Sequence, residues 1–361
     1  MIRVLVVDDS KVVRTLLARA LAAEPDIEVV GEAADAYEAR EQIVELAPDV
    51  ITLDVEMPRM NGITFLGRLM KYHPVPVVIF SSVTAPNSEA ALQALMLGAV
   101  EVVAKPVDGS GTAAVMRQLV RAIRAASCAN LDHEPDAGAD TKPHIPLYEL
   151  NASLRSRVKQ RMIAIGASTG GPAALERLLS AMPAGAPPVL IVQHMPAGFT
   201  DAFARRLDTK SEMNVRQAGD GELVEPGVAL LAPGDRHMIV LRRGSELRVG
   251  LRDGPPVHHH RPAVDVLFHS IATTVGADAV GVVLTGMGSD GASGMCAMRE
   301  AGVHTIAQDE TSSVVFSMPE QAIRRGGVCE VLPLAHIPAA ALNAATSIIL
   351  GESTTADRKR A

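Results

Sequence analysis

Five times in its first 126 residues the chain passes from a short β-rich run into a stretch of helical periodicity. Such alternation demands a parallel sheet flanked by helices. The pairs are Arg3 to Val7 then Val12 to Ala23, Ile27 to Val30 then Ala36 to Leu46, and Val50 to Leu53 then Ile63 to Met70. Val77 to Phe80 then Ser88 to Leu97, and Val100 to Val103 then Thr112 to Ala126, complete the series. Ligands of such sheets gather beyond the carboxyl ends of the strands, so the residues just after each run carry the chemistry. The pattern restarts at Met162 to Ile165 before a helix from Pro172, at Val189 to Val192 before a helix near Thr200, and at Val280 to Leu284 before Ala292 to Glu300. Val228 to Leu231, His237 to Leu241 and Leu247 to Leu251 follow one another with only short spacers and predict an antiparallel insert. Residues 127–160 are rich in Asp, Pro, Ala and Ser without a sustained apolar period, as a linker is. The expected layout is therefore 1–126, a linker 127–160, a second unit 161–348 and a tail 349–361, whose Arg358-Lys359-Arg360 reads as solvated. The fold class is α/β, with two doubly wound parallel-sheet domains.

Composition narrows the function. With 361 residues, 48% of them hydrophobic, the chain can bury two ordinary cores. A net charge of -7, no Trp, three Tyr and six Phe leave neither the basic face nor the stacking rings that nucleic-acid binding uses. Three widely separated cysteines, Cys128, Cys296 and Cys329, suit a reducing compartment rather than a disulfide framework or a zinc site. No apolar stretch is long enough to span a membrane, so a soluble, cytoplasmic monomer is expected.

In the first unit Asp8 and Asp9 follow the first strand, Asp54 the third, Ser81 the fourth and Lys105 the fifth. Neighbouring strand ends would crowd the three acids together, tolerable only around a cation, and an oxygen-only set favours Mg²⁺. Lys105 and Ser81 add a positive charge and a hydroxyl suited to a phosphoryl group on Asp54. Singly, each acid would be read as a helix cap. Together, VLVVDDS, DVEMPRMNG and AKP resemble the receiver domain of two-component response regulators, a flavodoxin-like fold. The resemblance implies that Asp54 takes phosphate from a histidine kinase, that Asp8 and Asp9 help hold Mg²⁺, and that Ser81 and Lys105 contact the phosphoryl group. Val102 stands where many receivers carry an aromatic switch residue.

In the second unit the strand Met162 to Ile165 runs into Gly166-Ala-Ser168-Thr-Gly170, a G-x-S-x-G arrangement on a strand-to-helix turn. Such a turn exposes a serine hydroxyl and offers amides to a developing oxyanion. His194, after Val189 to Val192, would be the base that serine needs, and Asp290, after Val280 to Leu284, the acid that orients the base. The competing readings are a phosphate loop at Ser168, which lacks the following Lys, an ordinary interior histidine, and an Asp that merely forms a turn. The order Ser, His, Asp also differs from that of ordinary α/β-hydrolases.

GASTGGP, QHMP, HRPAVDVLFHS and TGMGSDG, in this order after a receiver, resemble the catalytic domain of the chemotaxis protein-glutamate methylesterases, the CheB type. The resemblance implies a Rossmann-like three-layer domain over residues 161–348, with Ser168 as nucleophile, His194 as base and Asp290 as its orienting acid. Thr169 and Met287 become the oxyanion candidates, and His260 and Arg261 substrate-loop residues. His258-His259-His260 invites a metal reading, yet on an extended chain adjacent side chains point to opposite sides. Ala263 replaces a Ser common in that phrase. The implied activity is hydrolysis of γ-methyl esters, and deamidation of glutamines, on the cytoplasmic helices of methyl-accepting chemoreceptors, without a cofactor for the hydrolysis. The phosphodonor would be a histidine kinase of the CheA type, and the unphosphorylated receiver would cover the Ser168 rim. A DNA-binding output would need a basic helix that the second half lacks. A non-catalytic switch that acts by binding a partner is the remaining alternative.

Overall fold

The computed structural model describes residues 1–82, 85–106, 111–131 and 162–347, the side chains of 85–88 and 346–347 excepted. Most of the expected linker and all of the tail, with Arg358, Lys359 and Arg360, lie outside the described residues. These fall into two compact units, one on either side of residues 132–161.

The first unit contains β1 (Ile2–Val7), α1 (Lys11–Leu21), β2 (Ile27–Ala33), α2 (Ala36–Leu46), β3 (Val50–Leu53) and α3 (Gly62–Tyr72). β4 (Val77–Ser81), α4 (Ala85–Met96), β5 (Glu101–Ala104) and α5 (Thr112–Ser127) complete it. The strands lie parallel in the order β2-β1-β3-β4-β5. Their buried, β-branched runs, such as Val4 to Val7 and Val77 to Ile79, are what a sheet covered on both faces requires. Polar caps start the helices where the pattern changes: Ser10, Asp35 and Asn61 accept from the first-turn amides of α1, α2 and α3. Chain order reverses between β1 and β3, whose last residues Val7 and Leu53 are register partners. Asp8 and Asp54 thus leave the sheet side by side at its switch point.

The second unit opens with β6 (Met162–Ala167), α6 (Gly171–Ser180), β7 (Val189–Gln193), α7 (Ala197–Lys210), β8 (Asn214–Gln217) and β9 (Val228–Leu231). It continues with β10 (His237–Arg243), β11 (Glu246–Arg252), α8 (Val264–Thr274), β12 (Ala279–Val283) and α9 (Ala292–Glu300). β13 (His304–Gln308), α10 (Ser317–Arg324), β14 (Glu330–Leu332) and α11 (Ile337–Ser347) follow. Seven parallel strands take the order β14-β13-β12-β6-β7-β9-β8.

One expectation needs correction. Val228 to Leu231 is not part of an antiparallel insert: as β9 it pairs in parallel with β7 and β8, and the insert is the two-stranded hairpin β10–β11 alone. Four residues carry too little periodicity to show which sheet they join, and burial decides: Ala229, Leu230 and Leu231 are at most 1% exposed. The hairpin packs on α8, and Met238, Val240, Leu247 and Val249 share one core with Val264, Leu267 and Phe268 of α8 and with Leu190 and Val192 of β7. α8 is therefore held down close to the carboxyl ends of β6 and β7.

Candidate active site

Ser168 and His194 leave neighbouring strands at the same level. Ala167 and Gln193 are register partners, and the His194 amide donates to Ala167 O at 3.1 Å. Asp290 arrives from the loop after β12, on the other side of β6. Its Oδ2 lies 2.8 Å from His194 Nε2 and also accepts from the Val264 amide at 2.8 Å, while Oδ1 accepts from the Asp265 amide at 2.9 Å. Burial pushes the Asp290 carboxyl up, but the His194 bond and charge and the two amides outweigh it, holding the group below its ordinary value of 3.8. An ionised carboxylate can only accept, so Nε2 carries the imidazole proton and Nδ1 the lone pair. Nδ1 is buried and, among the described residues, has no hydrogen-bond partner. The structure thus joins His194 to Asp290 and sets Ser168 beside them, but the Ser168 to His194 hydrogen bond is not made. Such catalytic contacts commonly close only around substrate.

Several residues that the sequence did not single out hold this arrangement. Gln193, 2% exposed, donates through Nε2 to the carbonyls of both Ser168 (2.9 Å) and His194 (3.1 Å). Thr285 Oγ1 donates to Thr169 O at 2.9 Å and accepts from the Val315 amide, and Thr285 O accepts from the Ser168 amide at 3.0 Å. Gln193 stands in the QHMP phrase, and a polar residue in an otherwise buried strand was the available signal. Thr285 opens the TGMGSDG phrase, but its link to Val315, which no phrase marks, is made only by folding.

Of the oxyanion candidates, Thr169 is buried and Met287 is 36% exposed. The amides of Gly286 and Gly288 are engaged, to Val315 O and Ser317 Oγ, whereas among the described residues nothing accepts from the Met287 amide between them. Arg261 is tied to its own loop, donating to Gly254 O at 2.7 Å with Asp235 at 3.8 Å. Ala263 is buried, its amide donating to His237 Nδ1. The extended geometry expected for the histidine run is wrong. His258 and His259 have φ of 50° and 67°, in a tight turn closed by paired hydrogen bonds between Val257 and His260. The rings still diverge: His258 bonds Asp265 at 2.9 Å and His260 stacks on His194.

In the first unit Asp8, Asp9 and Asp54 place carboxylate oxygens within 4.8 Å of one another, Asp8 and Asp54 buried and Asp9 exposed. Lys105 Nζ lies 2.7 Å from Asp8 and 2.6 Å from Asp54. Burial raises the Asp54 carboxyl, assisted by Asp8 and opposed by Lys105, and the two carboxylates hold the Lys105 ammonium above its ordinary range against its own burial. Ser81 Oγ is fully buried, 0% exposed, and has no partner among the described residues. Oxygen donors only, one of them open to solvent, with a lysine balancing charge and an unmatched hydroxyl, fit a small hard cation such as Mg²⁺ beside a phosphoryl group. Val102 is buried on β5, opposite Ile79.

Comparison with known proteins covers both units. Residues 163–341 match the CheB methylesterase family and residues 4–117 the response regulator receiver domain. A protein-glutamate methylesterase/protein-glutamine glutaminase of Anaeromyxobacter dehalogenans is 50% identical, over 93% of this chain and 95% of its own. The protein of that description from Escherichia coli is 48% identical, with the same coverage. The CheB methylesterase catalytic domain of Thermotoga maritima superposes with a TM-score of 0.50 at 38% identity, over 51% of this chain and 97% of its own. The chain belongs to the protein-glutamate methylesterase/protein-glutamine glutaminase family, with a receiver domain ahead of its CheB methylesterase domain.

Proposed function

We propose that the protein hydrolyses glutamate γ-methyl esters, and the corresponding glutamine amides, on the cytoplasmic helices of chemoreceptors, with Ser168, His194 and Asp290 as its catalytic residues. The observation that carries the reading is the buried His194 Nδ1, unpartnered among the described residues, on an imidazole whose other nitrogen is fixed by an ionised Asp290, one strand spacing from Ser168. Ser168 Oγ attacks the ester carbonyl while its proton passes to Nδ1. The free Met287 amide, with Thr169 beside Ser168, receives the oxyanion. His194 then returns the proton to the departing methoxide, which leaves as methanol, or to the departing amide nitrogen of a glutamine, which leaves as ammonia. Water attacks the glutamyl-serine with His194 again as base, and glutamate leaves. The layout proposed for these roles is a receiver over 1–126, a linker to 160 and a catalytic domain over 161–348. Three free cysteines and the absence, among the described residues, of a helix long and apolar enough to cross a membrane support a cytoplasmic setting.

Phosphorylation of Asp54 by a histidine kinase is proposed to regulate this activity. Asp8, Asp9 and Asp54 would hold Mg²⁺, which supplies positive charge to the phosphoryl oxygens; Lys105 and Ser81 would contact the same oxygens. The test is methanol release from a methyl-labelled receptor fragment. Ser168→Ala is expected to abolish it, by roughly 10³-fold or more. Retained release would end the esterase reading at this serine, and retained signalling without release would favour the non-catalytic switch.

A further inference from the structure

His194 is gripped on two sides by one short stretch, residues 257–265. Asp290 fixes the edge of its ring, and the amides of Val264 and Asp265 fix Asp290. His260 covers its face: the two rings are 4° from parallel with centroids 3.7 Å apart. One hydrogen bond leaves an imidazole free to rock about that bond, and rocking would swing Nδ1 away from Ser168. A flat ring in van der Waals contact with the face removes this freedom.

The placement of His260 has its own support. It ends a two-residue turn in which Val257 and His260 exchange backbone hydrogen bonds of 3.0 and 2.9 Å. Both central residues, His258 and His259, are left-handed. Turns of this kind ordinarily carry Asn-Gly, since a β-carbon is disfavoured there. Here the turn is tethered. His258 Nε2 bonds Asp265 Oδ2 at 2.9 Å, and Asp265 Oδ1 accepts from the Gly294 amide at 2.7 Å, pinning the turn to the starts of α8 and α9. Asp265, 4% exposed, thus links two His–carboxylate pairs, its side chain serving His258 and its backbone serving Asp290.

We propose that His260 is a positioning residue that keeps the His194 ring in line with Ser168, and that the His258–Asp265 pair holds His260 in place. This deepens the reading of His194 as the catalytic base and rests on it. The test uses the full-length protein with two readouts, methanol release and the rate at which a fluorophosphonate labels Ser168. His260→Ala lowers kcat and the labelling rate by roughly 10- to 100-fold, with KM changed less than about twofold. His260→Phe keeps a flat ring and recovers both rates to within about threefold of the wild type, which loss of folding in the alanine variant would not predict. His258→Gly accepts the left-handed backbone without strain but lacks the tether, and costs roughly three- to tenfold in kcat.

A His260→Ala effect confined to KM would make the ring a substrate contact and overturn the proposal, as would a phenylalanine variant as slow as the alanine one. A His258→Gly protein with wild-type rates would remove the tether. A wild type that neither takes the label nor releases methanol would instead refute the esterase reading itself.

Discussion

Asp290 carries a carboxyl held below its ordinary value of 3.8, and that direction dictates how the site answers pH. A group with a depressed folded value contributes stability that is complete above its unfolded value and is lost as pH falls through the folded one. The melting temperatures of the wild type and Asp290→Asn should therefore differ by a constant amount above pH 3.8 and converge below it. A gap that instead widens on acidification would contradict the ionised state assigned to this residue. Activity gives a second check. Asn can present an N–H to Nε2 and so favour the wrong tautomer, leaving a proton on Nδ1, and kcat should fall roughly 10³- to 10⁴-fold with little change in KM.

The turn between β6 and α6 is built around close contact rather than around the serine alone. A β-carbon on Gly171 would lie 2.0 Å from Gln193 Oε1 and 2.9 Å from Ala167 Cβ. Gly171→Ala should push Gln193 away from its bonds to Ser168 and His194, costing about 1–3 kcal/mol in a denaturant titration of the second unit and lowering kcat. An unchanged midpoint and rate would show that the contact yields freely. At this scale the sequence was informative where an element ends in a polar residue after a β-branched run. Asp8, Asp54, Ser168 and His194 could all be found so, because strand ends are marked locally. The membership of β9 could not, and β13, α8 and the Gln193 and Thr285 links also escaped, since each is decided by what packs against it from far along the chain. The direction of the histidine turn failed for a related reason: an extended chain was assumed where a tether to Asp265 stabilises a left-handed one.

For the whole molecule, the two units imply two separable chemistries. Chelation by EDTA should leave basal methanol release intact while removing any stimulation by a small phosphodonor, and Asp54→Asn should do the same with Mg²⁺ present. Loss of basal release on chelation would show that a metal serves the ester chemistry as well. The strand order carries a further consequence. The chain lays down the central strand of the second sheet first, then its neighbour on one side, and only some ninety residues later the neighbour on the other side, whose loop bears Asp290. On the role proposed for Asp290, a nascent polypeptide on the ribosome therefore lacks its full catalytic set until just over four-fifths of it has been synthesised. Its first turnover is a report that the sheet has closed from both directions.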